Sequence, residues 1–198
     1  MPTAKKIVAI GLRAKTARAI TVVLGGTIDS PNVITKLELP LSDRKIPATS
    51  QPYHEVMEMP WDQSQKAVRS YVRVIETVAR KGLADLIKKL RNDGFTVKAV
   101  GIVGARDRDL ARIGNYHIRA HAAEGVLFRR VLDLAAEANG LKWRTFADKQ
   151  FDQIAAAELG PKAASVRKSL SQMGRVVSPP WRADEKQAAT AAWLVLHG

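Results

Sequence analysis

Residues 6–39 read KIVAIGLRAKTARAITVVLGGTIDSPNVITKLEL, and this stretch decides the fold. Lys6–Leu12 is a β-branched run closing on Gly11, the composition of a buried strand. After a short polar turn, Arg18–Leu24 (RAITVVL) is a second strand, ended by Gly25-Gly26. Val33–Leu39 (VITKLEL) alternates apolar and polar side chains, as a half-exposed strand does. Such short connections predict an antiparallel three-stranded meander.

Working outward, Pro40–Gln63 holds Pro40, Pro47, Pro52 and Pro60 and reads as a long proline-rich loop. Over Ser64–Asn92 the apolar positions Val68, Tyr71, Val72, Ile75, Ala79, Leu83, Leu86 and Leu90 fall at helical spacing, and Asn92-Asp93-Gly94 ends the helix. Val97–Val103 (VKAVGIV) is a buried strand entered from a helix, hence parallel to the first. A polar segment leads to a second helix, Ile118–Asn139, and Lys142–Ala147 is a short strand. Helices over Asp148–Leu159 and Lys162–Met173 are split by Gly160-Pro161, and Asp184–Leu196 is the last helix. The order β-β-β-α-β-α-β-α predicts one α/β domain over residues 1–198. Its mixed five-stranded sheet has three antiparallel strands, then two parallel ones, with helices on both faces. That is the ribonuclease H-like topology.

Composition narrows the function. The chain has 198 residues, 46% of them hydrophobic, and no run of the ~20 apolar residues that a membrane span needs. The opening MPTAKKIVAI has lysines before an apolar run that is too short for a signal peptide, so a strand is expected there. With no cysteine there is no disulfide framework or thiolate metal site, and a cytoplasmic location is expected. Thirty-two Lys and Arg against nineteen Asp and Glu give a net charge of +13, which points to a polyanionic partner, nucleic acid first. There is no GxxxxGK[ST], GxGxxG or GxSxG motif.

Several stretches resemble the bacterial Holliday-junction resolvases in order along the chain. Ile7–Leu12 looks like their opening strand, which ends Gly-Ile/Leu-Asp, and Gly101–Leu127 resembles their second βα unit. Lys142–Met173 resembles their fifth strand followed by a Lys-bearing helix, and Asp184–Ala192 (DEKQAATAA) their final Asp-x-x-Asp-Ala helix. The resemblance implies a site for two Mg²⁺ ions held by carboxylates from the first strand, the fourth strand and the last helix. Two dications about 4 Å apart need several hard anionic oxygens to stay bound and to clamp an in-line phosphoryl displacement. Here Leu12, followed by Arg13, stands at the expected central aspartate, Gly101 at the fourth-strand glutamate and Gln187 at the second helix aspartate. Asp184 matches the first helix aspartate, and the first acid of the chain is Asp29. Leu12 and Gly101 are expected side by side near the start of the Asp184 helix. The expectation is a protein without catalytic residues, bound metal or cofactor.

Three functions remain open on these residues. In the first, a non-catalytic resolvase-like protein binds structured or branched nucleic acid, DNA rather than RNA, as a homodimer by analogy. Its basic residues would be Arg106, Arg108 and Arg112 after the fourth strand, and Lys162, Arg167 and Lys168 after Gly160-Pro161. Tyr116, Trp143 and Trp181 could add base stacking, although tryptophans in such domains are usually core. In the second, the fold serves as a protein-interaction scaffold. In the third, Asp107, Asp109, Asp184 and Glu185 gather Mg²⁺ in a divergent nuclease, against the ordinary reading that acids among Arg106, Arg108 and Arg112 are neutralised on a loop.

Other constellations favour ordinary readings. Glu124 shares a helical face with Ala120, Leu127 and Val131 and is expected to pair with an arginine at the core edge. His54-Glu55-Val56-Met57-Glu58 fails the zinc-protease HExxH pattern, because Glu58 stands at the second histidine. His117 and His121, spaced i, i+4, could ligate a metal together, but without a third ligand nearby they read as surface histidines.

Overall fold

The computed structural model describes residues 6–27, 30–175 and 177–198. Asp29 and the first five residues lie outside the described residues, while the apolar run of the opening, Ile7–Ile10, is strand as expected. Five strands form one sheet: β1 (Lys6–Lys15), β2 (Arg18–Thr27), β3 (Ser30–Pro40), β4 (Phe95–Gly104) and β5 (Lys142–Ala147). Their spatial order is β3-β2-β1-β4-β5. The β1–β2 and β2–β3 pairs are antiparallel, and β1–β4 and β4–β5 are parallel. This is the mixed ribonuclease H-like sheet that the element order predicts.

The first strands are longer than their composition suggests. β1 continues through Arg13 and Lys15, and β2 does not stop at Gly25-Gly26 but runs to Thr27. Cross-strand hydrogen bonding down to Lys15↔Arg18 carries polar residues into the sheet that a hydrophobic run alone would leave out. The turn residue Ala17 sits at φ 63°, and its carbonyl accepts from the Leu41 amide at 2.8 Å.

The helices are α1 (Trp61–Ala67), α2 (Arg69–Asn92), α3 (Tyr116–Ala138), α4 (Phe151–Leu159), α5 (Ala163–Met173) and α6 (Ala183–His197). The proline-rich loop ends earlier than expected, because Pro60 is the N-cap of α1 and the helical run is broken only at Val68. Inside the loop, Pro47–Thr49 forms a single 3-10 turn, and the Thr49 hydroxyl donates to the Ile46 carbonyl at 2.7 Å. α3 starts two residues before the expected Ile118, since the Asn115 side chain accepts from the Ile118 amide at 2.9 Å and sets the helix start. Residues 148–150 form a separate 3-10 turn ahead of α4. No described helix is long and apolar enough to cross a membrane.

Strand alternation divides the core between the two faces. Val8, Ile10, Leu12 and Ala14 of β1 point to the α2/α3 layer, where they meet Leu83, Leu86, Leu90, Phe128 and Leu132. Ala9 points to the other face, where α5 and α6 pack. There the α6 backbone lies directly on two glycines. A Cβ at Gly11 would stand 1.8 Å from the Ala188 carbonyl oxygen, and one at Gly101 would stand 2.4 Å from that of Ala191. The Ala-rich sequence of α6 is what permits this approach.

Candidate functional site

The C-terminal ends of β1, β4 and β5 and the start of α6 meet at one edge of the sheet, where ligand sites of open α/β sheets form. Leu12 does not face this site. It is fully buried in the α2/α3 layer, because its parity is that of Val8 and Ile10. The side chain turned toward the start of α6 is Arg13, one residue on. Its guanidinium is 14% exposed and lies 3.5 Å from Asp184 and 3.5 Å from Asp148, and Lys15 Nζ is 3.1 Å from Asp184. Leu12 and Gly101 do lie on adjacent strands, where Leu12 pairs with Ile102 and Gly11 with Gly101. Gly101 faces Ala191, about 10 Å along the helix axis from Asp184. Gln187 is half-buried in a cavity of ≈ 370 Å³ between α4, α5 and α6, with Asp152, Arg167 and Lys186. Thus a guanidinium and an ammonium sit beside Asp184.

The four acids proposed for a divergent nuclease are not brought together. Asp107 pairs with Arg129, which also bonds Asp133 at 2.6 Å, and Asp109 pairs with Arg112 at 3.0 Å. Glu185 is buried, and its carboxylate accepts from the Arg182 amide at 2.8 Å as part of the α6 cap. Asp184 is held by Arg13 and Lys15.

The six basic candidates fall in different places. Arg106 and Arg108 are exposed and line a recess of ≈ 250 Å³ with Asp148 and Lys149, next to the Arg13 ion pairs. Lys149 is a residue of this edge that the sequence reading missed. Arg112 is exposed and tied to Asp109. Lys162, Arg167 and Lys168 are exposed at and just beyond the start of α5. Lys162 belongs to the opposite end of α6, roughly 20 Å from Asp184 along the helix axis. There burial first, then the charges of Lys98 and Lys162, hold His197 below the ordinary histidine pKa.

Of the aromatic candidates, Tyr116 is exposed with the Arg119 guanidinium 4.7 Å from its ring centre, and Trp143 is exposed on β5. Trp181 is half-buried against Gly174, and its indole N–H donates to the Leu170 carbonyl at 2.8 Å.

Two histidine readings change. Glu124 is fully buried and, instead of the expected arginine, meets His54: its Oε1 is 2.8 Å from His54 Nδ1 and accepts from the His54 amide at 3.3 Å. His54 in turn stands beside His117 and His121, so these two do have a third potential ligand. Among the described residues no other set of three potential metal ligands is gathered this closely. Burial, then the Glu124 charge, raise the pKa of the adjacent Tyr53 phenol above its ordinary value.

No protein-family model matches the chain, and no curated protein matches it. Among solved structures, RuvC from T. thermophilus in complex with Holliday junction substrate is similar at a TM-score of 0.49 and 12% sequence identity, over 95% of this chain and 91% of that one. A further structure of Thermus thermophilus RuvC is similar at a TM-score of 0.49 and 12% identity, over 94% and 92% of the two chains.

Proposed function

We propose that the protein binds structured or branched nucleic acid, DNA rather than RNA, across the C-terminal edge of its sheet and does not cleave it. The observation that carries this reading is the ion-paired cluster of Arg13, Lys15, Asp148 and Asp184 beside the exposed Arg106, Arg108 and Lys149. A two-metal phosphoryl-transfer site works by surrounding its cations with uncommitted anionic oxygens. At this edge Asp184 and Asp148 are already neutralised by side chains of the protein, and a Mg²⁺ ion would have to displace a largely buried guanidinium. The exposed cations of the same edge suit phosphate oxygens. Neutralising phosphates releases condensed counterions, a sequence-independent source of affinity. Action as a homodimer in the cytoplasm belongs to this proposal by analogy with the resolvases alone.

Binding to a four-way junction and to duplex DNA, measured from ~50 to ~200 mM salt, tests the reading. Log affinity should fall against log salt with a slope of about −0.9 per phosphate contacted. Replacing Arg106, Arg108 and Lys149 together by Ala should flatten the slope by up to ~3, while Lys162, Arg167 and Lys168 replaced together report whether α5 takes part. Absence of binding to any nucleic acid at ~50 mM salt would favour the scaffold function instead. Metal-dependent cleavage that disappears in Asp184→Asn would establish the nuclease.

A further inference from the structure

We propose that His54, His117 and His121 form a binding site for one divalent transition-metal ion, Zn²⁺ by ligand chemistry, with Glu124 as the group that orients His54. The site is independent of the nucleic-acid reading.

Its parts come from two segments distant in sequence. The Asn115 cap fixes the first turn of α3, and the i, i+4 spacing then puts His117 and His121 on one face of that helix. The third histidine arrives on the proline-rich loop. That loop is held at Met59, whose carbonyl accepts from the Ser64 hydroxyl at 3.2 Å and lies 3.5 Å from the Arg119 guanidinium. Glu124, farther along α3, secures His54 through both its amide and its ring.

The geometry brings three imidazoles together edge to face. One ligand atom from each histidine lies within 4.8 Å of those of the other two. The ring centres are 4.4, 4.4 and 5.3 Å apart. A tetrahedral ion with metal–nitrogen bonds of about 2.0–2.1 Å places its imidazole ring centres roughly 5 Å apart and its ligand nitrogens about 3.3 Å apart. The ring separations lie within about 1 Å of this arrangement, and a bound ion would need exposed His117 and His121 to turn so that their nitrogens close on it.

Glu124 adds a second, independent observation. It is 1% exposed, and its Oε2 has no hydrogen-bond partner. A carboxylate buried in this way calls for compensating positive charge. With Nδ1–H donating to Glu124, His54 keeps its Nε2 lone pair free for a cation, the carboxylate–histidine–metal arrangement that fixes tautomer and ring orientation. Three neutral imidazoles without thiolate select borderline cations over Mg²⁺ or Ca²⁺. With two of the three histidines exposed, the fourth position is open to water. A bound ion would also clamp the loop to α3.

The test uses the full chain without a polyhistidine tag, stripped by a chelator and titrated with ZnCl₂ alone. One Zn²⁺ per chain should bind, with a rise in melting temperature, since an ion bound only by the folded state stabilises it. Co²⁺ in its place should give the visible absorption of a four-coordinate centre. The double variant His117→Ala/His121→Ala changes only exposed side chains, so its metal-free melting temperature should stay unchanged while Zn²⁺ binding and the Co²⁺ spectrum are lost. Glu124→Gln should weaken Zn²⁺ binding by about 10- to 100-fold. Absence of saturable one-to-one binding at micromolar protein would overturn the proposal. So would a double variant that binds Zn²⁺ as the wild type does.

Discussion

On one face of the sheet, Leu83, Leu86 and Leu90 of α2 and Phe128, Val131 and Leu132 of α3 press full-sized side chains onto Val8, Ile10 and Leu12. On the other, α6 lays its backbone on Gly11 and Gly101 at Ala188 and Ala191. The first face is specified by volume and tolerates adjustment, because side chains can change rotamer. The second is specified by the absence of atoms, and a carbonyl oxygen cannot move without moving the helix. This difference bears on the site, since the tight face carries Asp184 and holds it within reach of Arg13 and Lys15.

The largest effect is expected for Gly11→Val. The added carbons would overlap the α6 backbone, so the variant should lose more than ~4 kcal/mol from a total of roughly 5–15 kcal/mol, read by urea denaturation. Leu83→Ala on the opposite face opens a cavity instead, and ~2–5 kcal/mol is expected by the same measurement. A Gly→Ala change on α2 sharpens the contrast. At Gly82 the added Cβ meets only the end of the Leu39 side chain, at 2.9 Å. Helix propensity favours Ala there, so Gly82→Ala should range from no change to ~1 kcal/mol of stabilisation. Destabilisation comparable to Leu83→Ala would show that the α2 face is as rigid as the other.

The smallest effect concerns His197, near the far end of α6. Its pKa is lowered on folding, so the unfolded chain binds the proton more tightly. Its contribution to stability is therefore fully present above the ordinary value of 6.5 and is lost as pH falls from there toward the folded value. NMR titration should find His197 below 6.5, and Lys98→Gln should move it upward.

The strands and long helices were legible because their periodicities are strong, down to the parallel entry of β4. Parity within β1 was legible too, yet the Gly-Ile/Leu-Asp likeness drew attention to Leu12. In KIVAIGLRAK the large residues Val8, Ile10 and Leu12 alternate with Ala9, Gly11 and Arg13, so the small-residue series already assigned Arg13 to the α6 face. The histidine cluster was less accessible. In the sequence His54 opens a local motif that fails, whereas its partners lie on α3 and meet it through the path of the loop. Periodicity reports what is near along a helix or strand; it does not report where a proline-rich segment lands. The partner of Glu124 was missed for the same reason.

The guanidinium of Arg13 limits what its own position can accept. It stands 3.5 Å from each of two acids, Asp148 and Asp184. An aspartate at position 13 would bring a third negative charge close to both and leave Lys15 as the cation beside Asp184. Such a variant would be penalised by mutual repulsion unless a dication bound there. The guanidinium thus acts as a built-in counter-charge: removing it leaves two neighbouring carboxylates short of positive charge, and only a cation supplied from solution could replace it.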